Sequence, residues 1–303
     1  MNKKMKRQAQ IVVFLLLSVL HTSYGQASPD SFDLSASLNW IPGEITAQAS
    51  FDLVEAGIRL PTGRFMAEDI LKETFPLLLR PYLLSIRVDS NSVIQDLIDE
   101  GELSFEDLDI ICEEAAKIPP SLSTDLRRMS GRSIILLEKL SSLLIRHRRA
   151  IEPTRPIVPV QAADYTGIII IADRELPIHG RRAQALAEPC IFPKIWDTNM
   201  DLVYERNMTD PGRKEGTMIV RYTTPESIFR PVPSGLDGEL AIFLGPNPLR
   251  IFAREVFGIS PTDLVIDRED ALKILSTENN RRLIREGRIA LVLNESQLVH
   301  TMR

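Results

Sequence analysis

The chain is short of the residues that usually do chemistry. Its 303 residues include two cysteines, four histidines and only 6% aromatics. Cys112 and Cys190 are too few for a disulfide framework. They are expected as two separately buried thiols, although an oxidising compartment would let them pair. The histidines are scattered, with no His-Glu-x-x-His, no pair of Cys-x-x-Cys units and no EF-hand loop, whereas a zinc site needs about four well-placed ligands. No Gly-x-Ser-x-Gly elbow, P-loop or Gly-x-Gly-x-x-Gly occurs. Neither a metal nor an organic cofactor is expected, and no catalytic constellation stands out. The net charge is −5. The first 25 residues hold four basic side chains and no acids, so the rest of the chain stands at about −9. That argues against nucleic acid, whose phosphates require clustered positive charge.

What is present begins at the N-terminus. Lys3, Lys4, Lys6 and Arg7 precede an apolar run over 11–20, and Ser23, Gly25 and Ala27 follow. A basic head, a short apolar core and small residues at a cut site make residues 1–25 a secretory signal peptide. The run is too short for a stable anchor, and nothing later approaches about 18 unbroken apolar residues. No cysteine ends the run, so there is no acceptor for a lipid. The expectation is a periplasmic chain without a transmembrane anchor.

The remainder reads as α+β in two parts. Residues 26–147 form an N-terminal α+β domain. Leu34, Ala36, Leu38 and Trp40, then Ile45, Ala47, Ala49 and Phe51, alternate with polar neighbours around Pro42-Gly43, which predicts a β-hairpin with one buried face. A largely buried helix should follow over 65–79, through Phe65, Ile70, Leu71, Phe75, Leu78 and Leu79, with a kink or break at Pro76 and Pro81. Ser104 and Asp107 resemble a capping box. Their helix should run through Phe105, Leu108, Ile111, Cys112 and Ala115 to Ile118 and stop at Pro119-Pro120. Residues 148–164 are a Pro-rich linker. Residues 165–303 form a C-terminal α+β domain of mixed sheet with one or two helices. Its strands are expected over 168–171, 191–196, 217–223, 249–257, 263–266 and 289–293, and its helices after Asp267 and over 280–285.

Three groups are candidates for chemistry or binding. Asp173 and Glu175 follow the 168–171 strand, where enzymes often place acids, but a glycosidase would need a second carboxyl across an aromatic-lined cleft. A solvated strand end explains them better. Arg146, Arg148 and Arg149, with His147, form the one dense basic cluster. They are the candidate contacts for a polyanion such as anionic lipid or wall polymer. Arg181-Arg182 is a weaker version. Asn207-Met208-Thr209 and Asn294-Glu295-Ser296 match the glycosylation acceptor pattern, which is common and carries weight only in a eukaryotic chain.

Several short blocks in order carry a resemblance. They are Tyr165-Thr166-Gly167 ahead of an apolar strand and Ala172-Asp173-Arg174-Glu175, then Pro193-Lys194-Ile195-Trp196-Asp197 and Val203-Tyr204. Asn247-Pro248-Leu249 and Asp263-Leu264-Val265-Ile266 with Asp270-Ala271 complete them. Together they resemble a bacterial envelope family that includes flagellar assembly protein T, flagellar protein P and related outer-membrane lipoproteins. The match is strongest over 165–271, and Val88-Asp89-Ser90 followed by Asp96 extends it into the first half. The resemblance implies a non-enzymatic structural or assembly role in the flagellar motor or outer envelope. Its partners would be envelope or motor proteins, or further copies of itself. The alternative from the residues alone is a binding module for peptidoglycan or anionic lipid through Arg146–Arg149.

Overall fold

The computed structural model describes residues 31–211, 218–229 and 235–302. The expected signal peptide over 1–25 lies outside them. The chain is α+β. Strands β1 (Phe32–Asn39) and β2 (Glu44–Asp52) form the expected hairpin, and Gly43 supplies the positive φ its turn requires. After helices α1 (Arg64–Leu84), α2 (Ile94–Asp99) and α3 (Phe105–Glu114) come β3 (Ala116–Leu122), β4 (Arg128–Leu136) and α4 (Leu137–Leu144). The second half holds β5 (Ile168–Ala172), β6 (Leu176–Pro177), β7 (Gln184–Ala185), β8 (Ile195–Asp197), β9 (Leu202–Tyr204) and β10 (Arg221–Thr223). It continues through α5 (Pro225–Ile228), α6 (Gly238–Leu244), β11 (Leu249–Phe252), β12 (Glu255–Phe257) and β13 (Asp263–Ile266). Helices α7 (Arg268–Ser276) and α8 (Glu278–Arg285) precede β14 (Ile289–Leu293) and β15 (Val299–Met302).

The first sheet is antiparallel, in the order β15-β1-β2-β4-β3. One face carries Ala36, Leu38, Ile45, Ala47, Ala49, Phe51, Met129 and Ile135, all buried, and α1 packs on that side through Ala67, Leu71, Phe75, Leu79 and Leu83. Strict alternation thus makes a sheet with one apolar and one polar face. Helix α1 runs unbroken through Pro76 and Pro81. Each interior proline costs about 3 kcal/mol. Burying each of the four large residues of the stripe returns about 1.5–3 kcal/mol. The carbonyls deprived of a donor belong to Lys72 and Leu77, both exposed positions where water can reach them. The expected break is therefore absent, and Phe65, expected inside, is 78% exposed at the helix start.

A second departure concerns Pro119-Pro120. They do not end a helix. Helix α3 stops at Glu114, and the prolines lie inside β3, at the sheet edge, where the register slips between Ile118 and Ser121. Edge strands tolerate proline because one row of backbone donors has no strand to pair with.

The second half contains a parallel sheet, β10-β14-β5-β11, and a mixed sheet, β12-β13-β8-β9. The stretch over 249–257 is two strands, β11 and β12, one in each sheet. Strand β5 explains its own composition. Ile169 and Ile171 pack with Ile228 of α5 and Leu240 and Leu244 of α6, while Ile168 and Ile170 face the main core. A strand covered on both faces reads as an unbroken apolar run.

The segment 148–164 has no regular element, as expected, yet it is tied down along α7 and α8. Glu152 pairs with Arg285 at 2.7 Å, Val160 N–H donates to Ser276 at 2.9 Å, and Asn280 Nδ2 donates to Ala163 O at 3.0 Å. The chain also returns to its beginning. Strand β15 lies beside β1, pairing Ala36 with Met302 and Asn39 with Val299, so the last strand of the second half completes the first sheet.

Candidate functional site at the junction of the two halves

Three side chains of the short blocks, Ser90, Trp196 and Asp263, meet in one place. The loop after α1 carries Val88-Asp89-Ser90 and docks on the second half by backbone bonds. Phe192 N–H donates to Val88 O at 2.8 Å, Ile191 N–H to Arg87 O at 3.1 Å, and Ser260 N–H to Ser90 O at 3.0 Å. The Asp89 carboxylate shapes this loop by accepting from the backbone of Asn91 and Ser92. Gly258, at φ +114°, lets the opposing loop approach, since a Cβ there would lie 2.4 Å from that of Ser90.

At the centre of the junction is Asp263, 1% exposed at the start of β13. Its carboxylate accepts from Ser90 Oγ, Trp196 Nε1 and Lys194 N–H, each at 3.2 Å, and from Thr262 Oγ1 at 3.4 Å. Burial raises its pKa above the ordinary 3.8, and the bonds from Trp196, Lys194 and Ser90 work in the opposite direction. Trp196 then meets Phe257 edge-on, and Phe257 meets His179 edge-on, with centroids 5.9 Å apart in each case. His179 Nδ1 lies 2.6 Å from Glu255 Oε2, both side chains being 34% exposed. A continuous chain of contacts thus leads from buried Asp263 to a half-exposed His–Glu pair.

A parallel chain lies beside it. Trp40, in the hairpin turn, packs edge-on against Tyr222 of β10 at 5.6 Å. Tyr222 OH donates to Cys190 O at 2.7 Å and accepts from Cys190 N–H at 3.0 Å. Both cysteines are free and buried. Burial raises the Cys112 thiol to about 11 and pushes Cys190 higher still, so neither is poised as a thiolate.

The bonds to Asp263 tie the Ser90 loop and β8 to β13. Among the described residues no group of three or more His, Cys, Asp or Glu side chains has a metal-holding arrangement. Asp197 and Asp201 do converge, but Arg268 Nη1 lies 2.9 Å from each.

The basic cluster is pulled apart. The Arg146 guanidinium donates to Glu102 O, and His147 Nε2 lies 2.8 Å from Thr209 O, so these neighbours hold different halves. Arg148 and Arg149 are exposed and form no ion pair among the described residues. Asp173 is half-buried and accepts from Asn294 through its backbone carbonyl at 3.1 Å, while Glu175 is exposed. Arg181 and Arg182 are exposed. The sequence carries Ser90, Trp196 and Asp263 in separate short blocks, and nothing in their spacing shows that they share one centre. The signal available was residue type, since an aspartate opening an apolar strand and an indole in another each need a buried partner.

Comparison with known proteins follows the same division. Residues 31–143 match the family model described as Treponema pallidum Tp0624, N-terminal domain. Residues 167–295 match that of Treponema pallidum Tp0624, second domain. A search of curated proteins finds no match to the chain. The two matched stretches flank the clamped segment, and each half of this chain is similar to the corresponding domain of Tp0624.

Proposed function

We propose that this is an exported, non-enzymatic structural or assembly protein of the bacterial envelope, acting through protein–protein contacts. The observation that carries the reading is the use made of the polar side chains. Ser90 of the first half is bonded to Asp263 of the second, Trp40 packs on Tyr222 across the same junction, and Trp196–Asp263 and Tyr222–Cys190 brace the second half behind them. Such a body offers surfaces to partners: a sheet with a polar outer face, and two sheet edges, at β15 and β3. Sheet edges are the usual sites for strand addition by a neighbour. The flagellar association rests on the short sequence blocks alone. Deletion of the gene with imaging of motors in situ tests the reading. Altered motor density or envelope integrity is expected, and an unchanged envelope with normal motility would sink it.

The exposed pair Arg148 and Arg149 supports a second reading, binding of peptidoglycan or anionic lipid. Pull-down with purified sacculi separates the two. Retention that disappears in Arg148→Glu/Arg149→Glu favours the polyanion reading, and retention that survives removes the named site.

A further inference from the structure

A cavity of about 260 Å³ lies between α1, α3 and strands β3 and β4, away from the junction. Leu71 and Phe75 of α1 and Cys112 of α3 give it an apolar wall. Ser133 of β4 lines it as well. That residue is 3% exposed, and its hydroxyl has no hydrogen-bond partner. A buried hydroxyl without a partner costs about 1–3 kcal/mol, which is why such groups are rare and point to something that satisfies them. Lys117 of β3 is directly opposite Ser133 in the ladder. Directly paired residues project to the same face of a sheet, so the ammonium and the hydroxyl belong to the cavity side together.

The charge balance around the cavity favours an anion. Lys72 and Lys117 line it without an ion pair among the described residues. Of the two acids there, Glu68 is already paired with Arg64 at 2.9 Å, leaving Asp69. The opening also has a cause in sequence. Pro119-Pro120 interrupts the β3–β4 ladder at the cavity, and a bulge of that kind bends the strand away from its regular course. Pro76 on the facing helix removes the donor that would bond the Lys72 carbonyl. Both irregularities of the first half therefore fall at the same place.

We propose that this cavity binds a small amphiphilic monocarboxylate, its chain against Leu71, Phe75 and Cys112 and its carboxylate received by the Ser133 hydroxyl and the Lys117 ammonium. A hydroxyl and an ammonium suit two carboxylate oxygens. The volume lies near the lower end of small-molecule pockets, about 300 Å³, and so limits the guest to a single medium-length chain. This goes beyond the assembly reading and stands whether or not that reading holds.

Titration calorimetry of the purified chain with decanoate, below its aggregation limit, tests the site. Saturable binding at one site is expected, with decanol at least tenfold weaker. Ser133→Ala removes the hydroxyl without adding bulk to the cavity, and it should weaken decanoate at least tenfold. Lys117→Glu, at an exposed position, should do the same for decanoate and leave decanol unchanged. Circular dichroism and melting curves establish that each variant is folded. A folded wild-type chain that gives no saturable signal with decanoate overturns the proposal. So does undiminished binding in folded Lys117→Glu or Ser133→Ala.

Discussion

The antiparallel sheet of the first half and the parallel sheet of the second solve the burial problem differently. In β2, Ile45, Ala47, Ala49 and Phe51 are buried, while Glu44, Thr46, Gln48 and Ser50 lie on the other face and retain solvent contact. In β5 and β14 every residue is buried. The first sheet has one helix-covered face and spends its other face on solvent. The second has α5 and α6 on one side and the shared core on the other. The same length of strand therefore carries about twice the apolar burden in the second sheet, and substitutions should show it. Ile170→Ala, at 0% exposure in β5, should cost about 2–5 kcal/mol, read as a lower urea midpoint at unchanged slope. A loss below 1 kcal/mol would mean that the parallel sheet is loosely packed.

The junction comes next in size, because it decides whether the two sheets melt together. Asp263→Ala removes the acceptor for the buried Ser90 and Thr262 hydroxyls and for the half-buried Trp196 Nε1 and Lys194 N–H. Each buried donor left unpaired costs about 1–3 kcal/mol, while relief of a buried carboxylate returns part of that, so a net loss of about 2–3 kcal/mol is expected. The variant should also split one unfolding transition into two, because the Ser90 loop is what the first half inserts into the second. A single sharp transition would show that β15 alone keeps them coupled. The pH dependence has a definite sign. The folded pKa of Asp263 is raised above 3.8, so the folded state holds this proton more tightly than the unfolded one. Its contribution to stability is full below pH 3.8 and is lost as pH rises through the folded value. Asp263→Asn should flatten that part of the stability curve, and an unaltered curve would assign the pH dependence to other groups.

The difference between the sheets also sets what can be read from the sequence. Alternation in 33–54 specifies both the hairpin and its buried face, because a two-residue period survives any tertiary context. The run over 168–171 shows a buried strand but not its two coverings, since α6 (Gly238–Leu244) has no strong pattern in a segment only seven residues long. Strand β15 could not be foreseen: Val299 and His300 acquire strand structure by pairing with β1, some 260 residues earlier in the chain. The prolines misled in both directions, for a reason of energy and a reason of place. In α1 a buried stripe outweighs them, and in β3 the sheet edge accommodates them. At the junction, Ser90 and the Lys194–Trp196 segment reach Asp263 from distant parts of the chain, and no local spacing encodes that meeting. The Ser104–Asp107 cap was legible because it is local.

That cap gives the next prediction. Ser104 Oγ accepts from Asp107 N–H at 3.2 Å, and the Asp107 carboxylate accepts from Ser104 N–H at 2.9 Å and Oγ at 2.7 Å. These bonds hold the Asp107 carboxyl below its ordinary range. Ser104→Ala should cost about 1 kcal/mol. Because α3 packs on α1 and not on the parallel sheet, the loss should appear in the first half alone, as faster amide exchange in α3 with β5 and β14 unchanged. Equal loosening of both halves would mean that α3 opens only when the whole chain unfolds.

The smallest effect belongs to the open face of the first sheet. Gln48 sits in β2 between Ser35 and Arg132, exposed to solvent, and its side chain enters no hydrogen bond or ion pair among the described residues. Gln48→Thr replaces it with a better strand former that still suits water, and the change in stability should stay within about 0.5 kcal/mol. The value of the measurement lies in its contrast with Ile170. If both central strands respond alike, the distinction between a one-faced and a two-faced sheet fails. If Gln48→Thr is silent in the isolated chain but costs more than about 1 kcal/mol once envelope partners are added, the open face is where a partner docks. Silence in both settings would leave the edges β15 and β3 as the surfaces on which the proposed partner contacts have to be sought.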